Sequence, residues 1–119
     1  MMESFNKPAH TKTIYSGAYV TDTVTYCAAI IFAGSKTFTV RYIFPKNSQS
    51  DEARRLYAEA YTAGYAKDLL QDKGYKADKF SVFMSSLVPA YKVRIPYRNM
   101  TLRATEIALE MKESNAFIP

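Results

Sequence analysis

Two periodicities divide the chain. From Thr11 to Phe44 apolar residues alternate with polar ones or fill short runs, and Thr, Tyr, Val, Ile and Phe dominate, the composition and period of strands. The spacing predicts a first strand from Thr11, with Ser16–Gly17 as a bend or bulge, and a turn at Thr21–Asp22–Thr23. In Val24–Phe32 the two alternating sets, Val24/Tyr26/Ala28/Ile30/Phe32 and Thr25/Cys27/Ala29/Ile31, are both mostly apolar. Such a strand belongs in the centre of a sheet, covered on both faces. Ala33–Gly34–Ser35–Lys36 reads as a hairpin turn. In the third strand, Thr37–Phe44, residues Phe38, Val40, Tyr42 and Phe44 should face a helix, and Thr39 and Arg41 should face away.

From Ser50 to Gly74 the pattern becomes helical. Ser48 and Ser50 are both candidate N-caps, Asp51 and Glu52 put negative charge at the positive end of the helix dipole, and Gly74 is a natural stop. At about 100° per residue, Ala53, Leu56, Tyr57, Ala60, Ala63 and Gly64 share one arc, with Arg55, Glu52, Glu59 and Thr62 opposite. The apolar arc is expected to face the sheet, with Gly64 permitting close approach. Tyr57, Tyr61, Tyr65 and Leu69 form an i, i+4 ladder expected to pack on the sheet edge with its hydroxyls in water. Beyond a charged loop, Phe80–Val88 and Tyr91–Tyr97 read as a fourth and a fifth strand joined through Pro89. Asn99 or Thr101 starts a second helix whose core face is Met100, Ala104, Ile107, Ala108 and Met111.

These elements predict a loose tail over residues 1–10 and one α+β domain over 11–119. Its sheet would be mostly antiparallel, with about five strands in the order β-β-β-α-β-β-α and both helices on one face. A chain of 119 residues is long enough for one core.

Charge changes the picture more than composition does. The net charge is +5, and residues 73–103 hold seven bases against Asp78 alone. The single Cys27 excludes an internal disulfide, which suits a reducing compartment such as the cytoplasm. No apolar run approaches the roughly 20 residues of a membrane span. One cysteine and one histidine, His10, cannot build a zinc site, and there is no glycine-rich phosphate loop. The sequence therefore implies no metal, no cofactor and no enzyme.

With both helices on one face, alternation leaves Arg41, Lys92 and Arg94 on the other, with Lys36 and Arg98 at strand ends nearby. Cys27, Ala29 and Ile31 are expected to form an apolar patch among them. Leu102 and Leu109 lie off the core face of the last helix. The expectation is a small basic binding protein that engages nucleic acid or an acidic protein surface. The alternative is a protein-interaction or inhibitor module acting through the apolar strand or through Leu102 and Leu109, as a homodimer or with a stable partner.

Overall fold

The apolar runs form three ten-residue strands: β1 (Thr11–Val20), β2 (Val24–Ala33) and β3 (Lys36–Pro45). In the computed structural model, which describes residues 11–75, 79–87 and 95–114, they pair as two successive antiparallel hairpins. Thr21 closes the first turn, donating through its hydroxyl to the Val24 carbonyl at 2.8 Å. Gly34, at φ 66°, makes the second, where an L side chain would be strained. Helix α1 (Asp51–Asp72) then carries the chain back, and β4 (Lys79–Met84) docks beside β1 in parallel. A single turn of 3-10 helix (Ser85–Leu87) follows, and helix α2 (Ile95–Ser114) ends the described chain.

The result is an α+β fold with two helices and a four-stranded mixed sheet in the order β3-β2-β1-β4. A helix of 22 residues rises about 33 Å, close to the length of a ten-residue strand. It therefore returns the chain to the end of the sheet from which β3 set out, and β4 has to run parallel to β1.

Three expectations are corrected. The helices do not share a face. The side of the sheet that carries Ile14, Ala18, Cys27, Ala29, Ile31 and Ala33 packs under α1. The side that carries Tyr26, Ala28 and Ile30 packs under α2, through Ala104, Ile107, Ala108 and Met111. Two-sided cover is what the doubly apolar β2 requires, and that strand is central as anticipated. Secondly, the proposed fifth strand does not extend through Ile95–Tyr97, because those residues already belong to α2. Its residues 91–94 lie outside the described residues, as do the 1–10 tail with His10, most of the charged loop, the Val88–Pro89–Ala90 turn and Ala116–Ile118. Thirdly, the glycine of close approach is Gly17, not Gly64. A Cβ on Gly17 would lie 2.2 Å from Thr105 Oγ1 and 2.5 Å from Thr105 N, so α2 crosses β1 with no room for a side chain. The β1–β2 register continues unbroken through Ser16 and Gly17, without a bulge. Gly64 lies on the outer surface, with nothing near its missing side chain.

The ends of α1 are well made. Of the two candidate caps it is Ser50 that serves, accepting from the Ala53 N–H at 3.2 Å. At the other end the Gly74 N–H donates to the Gln71 carbonyl and the Tyr75 N–H to the Leu70 carbonyl, with Gly74 at φ 87°. This is the paired-bond glycine stop.

Candidate functional site

Helix α1 lies with a different face inward from the one its apolar arc suggests. Its buried residues are Arg54, Ala58, Glu59, Thr62, Ala63, Ala66 and Leu70, so of the predicted inward arc only Ala63 is buried, with Ala53 half-buried. Leu56, Tyr57, Ala60, Tyr61 and Gly64 face solvent. Small residues on the inner face let the helix sit close to the sheet, and polar side chains fill the rest.

Glu59 is the chief of these and is wholly buried. A buried carboxylate is tolerated when its oxygens are filled with donors, and here they are. Oε2 accepts from the Ala18 N–H at 3.1 Å, two residues past the last β1–β4 pair, and from Arg55 Nε at 3.1 Å. Oε1 accepts from the Ser86 N–H at 2.9 Å and from the Ser86 hydroxyl. Arg55 also donates to Ser85 Oγ at 2.8 Å. The carboxylate therefore joins α1, β1 and the turn after β4 where β4 leaves the sheet. A cleft of about 600 Å³ opens above this junction, walled by Tyr19, Glu52, Arg55, Ser85, Ser86 and Thr105. It sits at the carboxyl ends of the parallel β1–β4 pair, where open sheets often take ligands. Both oxygens of Glu59 are committed to the fold, so the carboxylate acts as a brace. Among the described residues no group of three potential metal ligands is gathered anywhere.

The second feature is an aromatic surface at the outer edge. β3 is an edge strand, and its Tyr42 and Phe44 meet the tyrosine ladder of α1. Ring centroids lie 5.0 Å apart for Tyr42–Tyr65, 4.9 Å for Tyr61–Tyr65, 5.2 Å for Tyr57–Tyr61 and 5.9 Å for Phe44–Tyr57. The ladder packs on the sheet edge as its spacing suggests, yet Tyr57 keeps 53% of its surface exposed, Tyr61 45% and Tyr42 41%. Burial, with the neighbouring Tyr42 and Tyr61 hydroxyls, pushes the Tyr65 phenol up to about 12. Lys36, Arg41 and Lys46 are exposed along the same strand and at its end, and the Lys73 ammonium sits 5.7 Å from the Phe38 ring centroid.

The apolar patch expected beside Arg41 lies on the other side of the sheet. Arg41 is exposed, but its antiparallel partner is Ala28, while Ala29 pairs with Val40. Paired residues share a face, so Cys27, Ala29 and Ile31 lie on the side away from Arg41. All three are wholly buried under α1 and offer no surface to a partner. Burial pushes the Cys27 thiol up to about 12. Lys36 is exposed at the β2–β3 hairpin, and Arg98 is half-buried in the first turns of α2. Lys92 and Arg94 lie outside the described residues. Leu102 is exposed on α2, and Leu109 is half-buried.

Sequence reasoning missed Glu59, Arg54 and Arg55 because it placed polar residues outward. A usable signal was present: Arg55 and Glu59 stand at i, i+4, and the serine pair Ser85–Ser86 supplies donors at the end of an apolar strand. No family model and no curated protein matches the chain.

Proposed function

We propose that this is a non-enzymatic binding protein that takes single-stranded nucleic acid across the outer edge of its sheet, over β3 and the tyrosine face of α1. The observation that carries this reading is the ring cluster of Tyr42, Phe44, Tyr57, Tyr61 and Tyr65, in which Tyr42, Tyr57 and Tyr61 are exposed, with Lys46 beside Phe44 and Tyr57 and Lys36 at the other end of the same strand. Exposed rings stack with unpaired bases irrespective of sequence, and neighbouring cations take the phosphates. Duplex would be disfavoured, because its base faces are already stacked. The overall charge of +5 assists encounter.

The test is anisotropy of labelled single- and double-stranded oligonucleotides across a salt series. Single strands should bind better, with log affinity falling against log salt by about 0.7 for each phosphate neutralised. Tyr57→Ala and Tyr61→Ala should each weaken binding by about 1–3 kcal/mol, and Lys36→Glu with Lys46→Glu should abolish it while the fold persists. Absence of binding at low salt refutes the reading.

A second reading rests on Leu56, Ala60 and Gly64, which continue the exposed stripe on α1 away from the cations. A protein partner or a second copy seated there would bind with little dependence on salt, and Leu56→Glu would remove it.

A further inference from the structure

Arg54 is buried to 4% exposure, and its guanidinium is only partly used. Nη1 donates to the Thr21 carbonyl at 3.0 Å and lies 3.5 Å from Asp51 Oδ1, on a side chain that is 87% exposed. Nε and Nη2 are both buried and have no hydrogen-bond partner. A guanidinium cannot escape burial by losing its proton, and a buried charge without partners is among the costliest features a fold can hold. Nε and Nη2 also form one edge of the guanidinium plane, the edge that grips an oxyanion through two parallel N–H···O bonds.

A pocket of about 220 Å³ lies beside it, and Arg54 forms part of the wall with Thr25, Phe44, Lys46, Asn47 and Tyr57. Among the described residues no acidic one lines this pocket, and Lys46 adds a second positive charge. Phe44 and Tyr57 are two rings of the aromatic surface, 5.9 Å apart between centroids. Cation, amide, hydroxyl and two aromatic walls thus meet where β3 ends and α1 begins.

We propose that this pocket is a phosphate subsite, in which Arg54 takes two oxygens of a phosphate group through Nε and Nη2 and Lys46 closes over it. Resting on the reading of the outer edge as a nucleic-acid surface, the proposal assigns the pocket one backbone phosphate at the end of the aromatic row. A free phosphate ion presents the same chemistry. Nε and Nη2 are enclosed, so binding requires the exposed wall residues Lys46 and Tyr57 to move aside and admit the group.

The probe is inorganic phosphate, exchanged for chloride at constant ionic strength, with the full chain. The thermal midpoint of the wild type should rise by several degrees, and the Arg54 Nε–H resonance should shift saturably. Arg54→Met keeps the apolar stem and removes the unpaired charge, so it should fold and show no phosphate-dependent rise. Lys46→Gln, at an exposed position, should weaken phosphate binding several-fold, and it decides between the outcomes if the methionine variant fails to fold. An Arg54 Nε–H signal that phosphate leaves unmoved, or an equal rise in Arg54→Met, overturns the site. A single-stranded oligonucleotide then separates the sources. Displacement of phosphate by the oligonucleotide supports a backbone subsite. Phosphate binding without oligonucleotide binding overturns the backbone assignment and leaves a free-phosphate site. Oligonucleotide binding that Arg54→Met leaves unchanged overturns the subsite while the aromatic surface stands.

Discussion

Glu59→Ala is the most informative single change to the fold. It removes an acceptor for the buried Ala18 N–H, for the Ser86 N–H and hydroxyl, and for Arg55 Nε. Each buried donor left unsatisfied costs about 1–3 kcal/mol. The Ala18 N–H is enclosed and carries most of this. Ser86 is half-buried and can recruit water, and the Arg55 side chain, 37% exposed, keeps Ser85 and solvent. Removing one partner of a buried pair costs about 3–5 kcal/mol in general. We expect about 3–4 kcal/mol here, since the arginine is not stranded. At a urea dependence of about 2 kcal/mol per M, the midpoint should fall by nearly 2 M. Glu59→Gln keeps the shape but turns an amide NH₂ toward existing donors, so it should lose less, about 1–3 kcal/mol. Arg55→Ala should lose about 1 kcal/mol or less. The assay is urea unfolding followed by tyrosine fluorescence and far-ultraviolet circular dichroism, with coincident transitions required. A loss below about 1 kcal/mol for Glu59→Ala would mean that water already reaches the carboxylate, and the bracing role would be wrong.

Three further outcomes are expected. Gly17→Ala should destabilise by about 1–3 kcal/mol or more through collision with Thr105, whereas Gly64→Ala should be neutral or stabilise by up to about 1 kcal/mol; parallel urea melts check the pair, and equal effects would contradict the placement of α2. The Cys27 thiol should resist a thiol reagent in native buffer and react only as urea unfolds the domain, because it is buried and its ionisation is pushed up to about 12; rapid native modification would refute this. The Tyr65 phenol ionises at about 12 in the fold against an ordinary value of 10.0, so its contribution to stability is complete below about pH 10 and is lost as pH rises through about 12; unfolding midpoints across that window should fall, and Tyr65→Phe should flatten the decline.

Local patterns along the chain were legible wherever one force acted alone. β2 is apolar on both alternating sets, and it is central and doubly covered. The α2 core face, Ala104, Ile107, Ala108 and Met111, is buried as its spacing implies. The turns at Thr21 and Gly34 follow from turn chemistry. Strand order was not legible, because alternation tells which residues share a face and not which strand lies beside which. The parallel β1–β4 pair follows from the direction in which α1 returns the chain, a tertiary fact. Placing both helices on one side then forced the wrong partner set on Arg41: one position of register, Ala28 in place of Ala29, moves the whole set to the other face. The glycine assignment failed similarly. Gly64 sat on an arc assumed to be buried, while Gly17 looked like a bulge, and only the crossing of α2 distinguishes them.

The rotation of α1 joins these failures to the proposed activity. Burial of apolar area favours the face with Leu56 and Tyr57 turned inward, at roughly 25 cal/mol per Å². The fold instead turns Arg54, Glu59 and Thr62 inward and leaves those two at the surface. Glu59 accounts for part of this, since its donors fix the helix against β1 and the Ser85–Ser86 turn in one rotation only. The close approach of Ala58, Ala63 and Ala66 to the sheet accounts for another part, because Leu or Tyr at those positions would hold the helix off β2. Neither requires the outer face to be aromatic. A helix needing only solubility there would carry Lys, Glu or Gln, which have better helix propensity than Tyr. Tyrosine at 57, 61 and 65, aligned with Tyr42 and Phe44 across the strand edge, runs against local helix propensity, and such departures gather at functional surfaces. Arg54 is the same kind of departure at the end of the same row. The packing of the fold explains neither the exposed rings nor the unpaired guanidinium edge; the proposed ligand, with flat bases and phosphate oxygens, would satisfy both.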